Sequence, residues 1–415
     1  MIRKLTGLSL AAGVLLLGAC HEDGTLEPPA TPTGGALLSH YVAMGNSITA
    51  GFQSAGINDS TQKQSYARLI ANASGAPYYY QSLRGRGCAP PFTNNVSQAR
   101  VGGAGSTGTT CDLVAPAEHP WLTNVAVPGA RAIEMTNNLA TPVSGSNALT
   151  TIILGGETQA QRMIEAQPTL VTMWAGNNDV LGALTNAANP GVSVAVTASG
   201  SFNSSYDSAA AAIASTGAKA LLIGVVDVTN IPYTSTGAVI WCLKTGNCGA
   251  PAAPLPATFV VLNNCAPNAV VATSFGDSIL VPWTKFVPLI GAAAAGATDT
   301  LDCTVTTKVV TPTEYAVMRN AVVAYNTHIQ AVVAANPNFA YWDPNPTLLA
   351  RKAAGQVPRF PDISTIGTGG SVGFGPLFSL DGVHPSALAH KLIADSVAAH
   401  LNSAFGTTIP IPVAP

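Results

Sequence analysis

The feature that most constrains this chain is a set of nearly continuous apolar runs, each closed by a turn. Leu37 to Met44 ends in Gly45-Asn46-Ser47, Leu122 to Val127 in Pro128-Gly129-Ala130, and Thr169 to Trp174 in Gly176-Asn177-Asn178-Asp179. Ala218 to Val226 is the plainest run, and Phe339 to Trp342 is the last. Apolar runs without polar alternation suit strands buried on both faces, as in parallel sheets. Helical spacing lies between them, over 65–73, 157–166, 202–215 and 311–335. In the last of these Pro312 opens the segment, and Tyr315, Met318, Val322, Tyr325, Ile329 and Val332 recur every three or four residues. Ser386 can cap a final helix carrying Leu388, Leu392, Ile393, Val397 and Leu401 on one side. Strands alternating with helices predict an α/β fold, a parallel sheet covered on both faces.

Two excursions interrupt the alternation. From Arg84 to Trp121 the pattern dissolves into Gly, Pro, Asn and Thr, and from Asp227 to Val310 a longer insertion carries Cys242, Cys248, Cys265 and Cys303. The insertion leaves the carboxyl end of a strand, the edge where open α/β sheets place their chemistry, so it is expected to overhang that edge as a wall or lid. The domain is read as 36–404, with a loosely held tail over 405–415. Only 9% of the 415 residues are charged and the net charge is −2, which offers no electrostatic footprint for nucleic acid.

The amino terminus reads as an export signal. Arg3 and Lys4 precede the apolar stretch Leu5 to Leu17, which ends in Gly18-Ala19-Cys20 and is short for a membrane span. This resembles the lipobox of bacterial lipoproteins. The resemblance implies residues 1–20 as signal peptide, lipid on Cys20, and a tether over 21–35 rich in Pro, Thr and Gly. His21, where an aspartate would retain the protein, leans toward the outer membrane. Cys20 aside, an even number of cysteines in an exported chain predicts disulfides, and proximity in sequence favours Cys88 with Cys111, Cys242 with Cys248 and Cys265 with Cys303. The cysteines lack zinc-site spacing, and no metal is expected.

The candidate chemistry begins at Ser47, on the turn after the first strand. A serine hydroxyl needs a base to take its proton, and the base needs a third group to fix its tautomer. Asp381 and His384, in Asp381-Gly382-Val383-His384-Pro385-Ser386, are spaced so that both side chains can face one way at the entry to the last helix. An oxyanion also needs preorganised donors, and Gly129 and Asn178 are the candidates: a glycine exposes its backbone N–H, and an asparagine amide offers two N–H bonds on a short arm. Each residue alone is ordinary turn composition; their occurrence in this order is the signal.

Ser47 in GNSIT, Gly129 in VPGA, Asn178 in GNND, and Asp381 with His384 in DGVHPS resemble the four blocks of the GDSL, or SGNH, hydrolase family. The resemblance spans Tyr41 to Leu401. It implies a flavodoxin-like three-layer sandwich, with Ser47 as nucleophile, His384 as base and Asp381 as its orienter. Ser47, Gly129 and Asn178 would form the oxyanion hole, and no cofactor is needed. The implied activity is exported ester hydrolysis on lipid, small ester or acetylated glycan. Polysaccharide O-acetyl ester cleavage and a non-catalytic surface-binding lipoprotein are the alternatives. The family usually carries aspartate where this chain has Asn46. A more literal match, Gly276-Asp277-Ser278, sits inside the insertion and leads into no helix, so Ser278 is set aside. The scattered tryptophans are read as core or rim packing.

Overall fold

A computed structural model describes residues 31–103, 119–137, 147–248 and 255–411. The signal segment, Cys20, most of the tether and Cys111 lie outside the described residues. Four parallel strands form the central sheet in the spatial order β1 (Tyr41–Gly45), β2 (Leu170–Trp174), β3 (Lys219–Ile223) and β4 (Phe339–Trp342). Tyr41 pairs with Leu170, Val171 with Ala220, and Ala220 with Phe339.

The run at 122–127 is not a regular strand, yet it pairs along the free edge of β1. Ala43 donates its N–H to Thr123 at 2.7 Å, Val125 donates to Ala43 at 2.9 Å, and Val127 to Gly45 at 3.2 Å. Asn124 breaks its regularity, because its side-chain oxygen takes the N–H of Ala126 at 3.0 Å. Such local side-chain bonds compete with a sheet ladder. With this segment counted, the strands run second, first, third, fourth and fifth across the sheet, which is the flavodoxin-like order. Ligands in such sheets sit where the order reverses, here between β1 and β2.

The sheet is the middle of three layers. Along β1, Val42 and Met44 point to one face and Tyr41 and Ala43 to the other, the two-residue alternation of a strand. On the Tyr41 face lie α1 (Tyr66–Ser74), through Tyr66, Ala67 and Ile70, and the last helix, α7 (Ala387–Phe405), through Val397 and Leu401. The Val42 face is covered by α2 (Gln159–Glu165), α4 (Ser199–Ser215) and α5 (Pro312–Ala334). Two short helices, α3 (Asn178–Leu184) and α6 (Asn345–Ala353), follow β2 and β4 at the functional edge. Thr311 and Glu314 close a capping box at the start of α5, and Ser386 accepts from Ala389 N–H at 3.2 Å to start α7. Among the described residues, Gly129 is followed by a short 3₁₀ turn, Ala132–Met135, and then by a helix over Ala148–Leu154.

The insertion has its own small elements. Thr234–Thr236 pairs antiparallel with Leu280–Pro282, Phe259–Val261 pairs parallel with Asp299–Leu301, and the disulfides Cys242–Cys248 and Cys265–Cys303 close it. Trp241, Phe259 and Phe286 are buried in the same apolar cluster as the Val42 face of the sheet. These residues extend the core, and among the described residues of the insertion Val228 and Ile231, at its root, line the cavity beside Ser47. Cys88 is disulfide-bonded. In the described part of the tail, Ile409 is buried, its backbone is bonded in both directions by the Asn402 side chain at 2.9 Å, and Thr408 N–H reaches Gly34 at 2.8 Å.

Candidate active site

Three contacts fix the turn that presents Ser47. Gly45 has φ +148°, and a side chain there would meet the Trp174 carbonyl at 2.6 Å and Thr49 Oγ1 at 2.7 Å. Only glycine fits that approach. The buried Gln159 side chain bonds the Gly45 backbone twice, its oxygen accepting from the N–H and its amide donating to the carbonyl, both at 2.8 Å. Asn46 caps the helical turn Ser47–Ala50 by accepting from Ile48 N–H at 3.1 Å, a role that an aspartate fills equally well. Ser47 thus sits 5% exposed at the carboxyl end of β1.

Asp381 and His384 come from the loop entering α7. His384 Nε2 lies 2.9 Å from Ser47 Oγ, and His384 Nδ1 lies 2.8 Å from Asp381 Oδ2. A proton on Nδ1 shared with the carboxylate leaves Nε2 to accept from the serine hydroxyl. Asp381 is saturated with donors. Its Oδ1 accepts from the N–H groups of Val383 at 2.9 Å and His384 at 2.8 Å and from Ser379 Oγ at 3.2 Å, while Oδ2 takes Ala55 N–H at 2.7 Å. Burial alone would raise this carboxyl, but the charge of His384 and these hydrogen bonds outweigh it and hold it at about 2. The Phe52 ring packs against His384 with centroids 4.7 Å apart.

The donor loop around Asp381 is strained. Ser54 and Ala55 both have positive φ, +54° and +52°, a region that costs a residue with a Cβ roughly 1–2 kcal/mol. In that conformation Ser54 N–H reaches Ser379 Oγ at 2.8 Å while Ala55 N–H reaches Asp381. On the other side Trp283 of the insertion donates to the Asp381 carbonyl at 3.3 Å. None of Ser54, Ala55, Ser379 or Gln159 is singled out by sequence pattern, because each acts through a backbone contact between distant segments.

The candidate oxyanion donors come from the ends of the next two sheet segments. Asn178 opens α3, donates one amide N–H to the Ala130 carbonyl at 2.9 Å, and lines the same cavity as Ser47 and His384. Gly129, at φ +82°, lines an adjoining cavity that Asn178 shares. The two segments are tied by Asp179, whose carboxylate accepts Ala132 N–H at 2.9 Å and is pushed up to about 6 by burial. The structure therefore brings Ser47, His384 and Asp381 into direct contact and Asn178 into their cavity, with Gly129 one step away.

Ser278 is placed very differently. It ends a 3₁₀ turn, Gly276–Ser278, and its hydroxyl donates to the Phe275 carbonyl at 3.3 Å. Asp277 is occupied in accepting Asn268 N–H at 2.9 Å. Gly276 is required by packing, since a side chain there would collide with the Cys265 backbone.

No curated protein matches the chain. A crystal structure of a candidate GDSL-like lipase from Parabacteroides merdae ATCC 43184 aligns over 88% of this chain and 94% of that one, at 9% identity and a TM-score of 0.32, a likeness too distant to carry weight. The family model for GDSL-like lipase/acylhydrolase matches residues 41–397, from the first residue of β1 to well within α7. Since that match covers most of the chain and all five residues of the site, the protein belongs to the GDSL-like lipase/acylhydrolase family.

Proposed function

We propose that this protein is an exported serine ester hydrolase that cleaves carboxylic esters through an acyl-enzyme. The observation that carries the reading is the contact series Ser47 Oγ to His384 Nε2 at 2.9 Å and His384 Nδ1 to Asp381 at 2.8 Å. His384 takes the Ser47 proton as Oγ attacks the ester carbonyl. The C–O bond to the alcohol then breaks, and His384 returns the proton to the departing alkoxide. Water repeats the sequence on the acyl-enzyme, releasing the acid and free Ser47. Asp381 stays ionised and steadies the imidazolium that forms twice per cycle. Asn178, Gly129 and the Ser47 backbone N–H would receive the negative oxygen of each tetrahedral intermediate, where one such donor is worth about 10²–10³ in turnover.

Membership in the family supports ester hydrolysis as the reaction class. Export and anchoring through lipid on Cys20, toward the outer membrane, rest on the sequence of residues 1–21. Hydrolysis of a p-nitrophenyl butyrate solution by the purified chain tests the chemistry. Turnover in wild type that His384→Ala loses is the expected outcome; a protein inert toward a panel of esters contradicts the reading.

A further inference from the structure

One cavity opens directly from the nucleophile. It has a volume of about 150 Å³, includes Ser47 and His384 in its wall, and is otherwise mostly apolar. Trp174 and Trp342 contribute from the carboxyl ends of β2 and β4, and Val228 from the root of the insertion. Its long walls are helical: Ala389, Ile393 and Ser396 of α7 on one side and Thr347 of α6 on another. Ala389 and Ser396 lie seven residues apart on the same face of α7, so the cavity follows that helix for about 10 Å, starting beside His384.

We propose that this cavity is the acyl site, and that it selects a linear aliphatic acyl chain of about six carbons over acetyl. The inference rests on the Ser47 ester-hydrolase reading and adds the substrate's acyl class to it. Size comes from volume: a dry apolar cavity of ~150 Å³ accommodates benzene, so about six carbons fill it. Chemistry comes from the lining, which is mostly apolar, so each methylene buried there is favourable; the guanidinium of Arg351, which also lines it, already donates to Gln356 at 2.9 Å. Assignment to the acyl half follows from the reaction cycle. The alcohol must depart and be replaced by water at the same carbonyl, whereas the acyl group stays bonded to Ser47 Oγ through both steps. The pocket that opens at Ser47 and extends along α7 suits the group that stays.

The test uses two substrate series on the full chain: p-nitrophenyl esters with acyl groups from acetyl to dodecanoyl, and alkyl acetates with alcohols of the same lengths. In the acyl series kcat/KM rises about fourfold per added methylene until the chain reaches about six carbons, and then falls. The alkyl acetate series stays comparatively flat. Two substitutions place bulk in the channel, Ile393→Trp on α7 and, at an exposed position where folding is safer, Thr347→Trp on α6. In both the ratio of octanoyl to acetyl kcat/KM falls by about tenfold or more, a ratio that simple loss of folded protein leaves unchanged. A flat acyl profile, a dependence found only in the alcohol series, or unchanged ratios in both variants overturns the assignment of the cavity while leaving the hydrolase reading standing. Absence of turnover on every ester in both series overturns the hydrolase reading, and the acyl site with it.

Discussion

Two turns in this chain read glycine, an amide or acid, then serine, and they serve different ends. At Gly45-Asn46-Ser47 the glycine allows β1 to pass against β2, the asparagine caps a helical turn, and the serine hydroxyl is left to His384. At Gly276-Asp277-Ser278 the glycine lets the turn press on Cys265, the aspartate holds a loop N–H, and the serine is spent on a local carbonyl. The second turn is closer to the family's literal block, while the first has its position. The difference teaches that reactivity belongs to the sheet edge: a serine becomes a candidate nucleophile when the strand order delivers an acid–imidazole pair to it.

Substitutions in the two turns break or sharpen that comparison. Ser47→Ala should lower kcat for a p-nitrophenyl ester by about 10⁴-fold or more, as loss of a nucleophile does, while Ser278→Ala leaves steady-state kinetics within about twofold. The reverse pattern would place the chemistry in the insertion. Asn178→Ala probes the edge rather than the serine, and should lower kcat by about 10²–10³ with little change in KM, measured by the same assay.

The supports beneath the turns differ too. Against Gly276 of the second turn lies the backbone of Cys265, whose disulfide to Cys303 does not titrate. Beneath Ser47, the hydroxyl of Tyr66 meets Thr49 at 3.0 Å, and the backbone N–H of the same residue donates to buried His390 at 3.3 Å. Burial, and then the charge of His384, hold His390 at about 3, below its ordinary value near 6.5. The unfolded chain therefore binds the proton more readily. Stability from this group is present above about pH 6.5 and is lost as pH falls toward 3, by roughly 1.4 kcal/mol per unit within that window. Asp179, pushed up to about 6, contributes with the opposite sign below about pH 6, so the His390 contribution is read as a difference: in denaturant titrations between pH 7 and 4, wild type should lose more stability on acidification than His390→Gln. Equal losses would exclude His390 as the source.

Within the first turn, the smallest effect is expected at Asn46. Since aspartate caps a helix about as well, Asn46→Asp should keep kcat within about fivefold. A larger change would mean that this position acts in the chemistry and not only in the turn.

Much of the scaffold was legible because burial on both faces leaves a plain trace. The runs ending at Met44, Trp174 and Val226 are strands or lead out of them, and Thr311, Pro312 and Ser386 mark their helix starts as their capping chemistry dictates. Asp381 and His384 were legible because they are close in sequence and their spacing suits one loop. Residues that act through the backbone of a distant segment left no such trace. Ala55 reaches Asp381 across 326 positions and Gln159 reaches Gly45 across 114, and neither residue type announces the contact. The insertion misleads for a related reason. Its Pro, Gly and Thr conceal the alternation of buried positions, so Trp241 and Phe286 become core only once the disulfide-closed elements have folded onto the sheet. The segment at 122–127 shows the opposite limit, where an apolar run promises a strand and one asparagine side chain reroutes its ladder.

The most direct test of the central claim is labelling with a serine-directed fluorophosphonate, followed by peptide mapping by mass spectrometry. The predicted result is one phosphonyl adduct, on the peptide containing Ser47, that disappears when His384 is replaced by alanine. An adduct on the Ser278 peptide, or labelling of Ser47 that is indifferent to His384, would contradict the account.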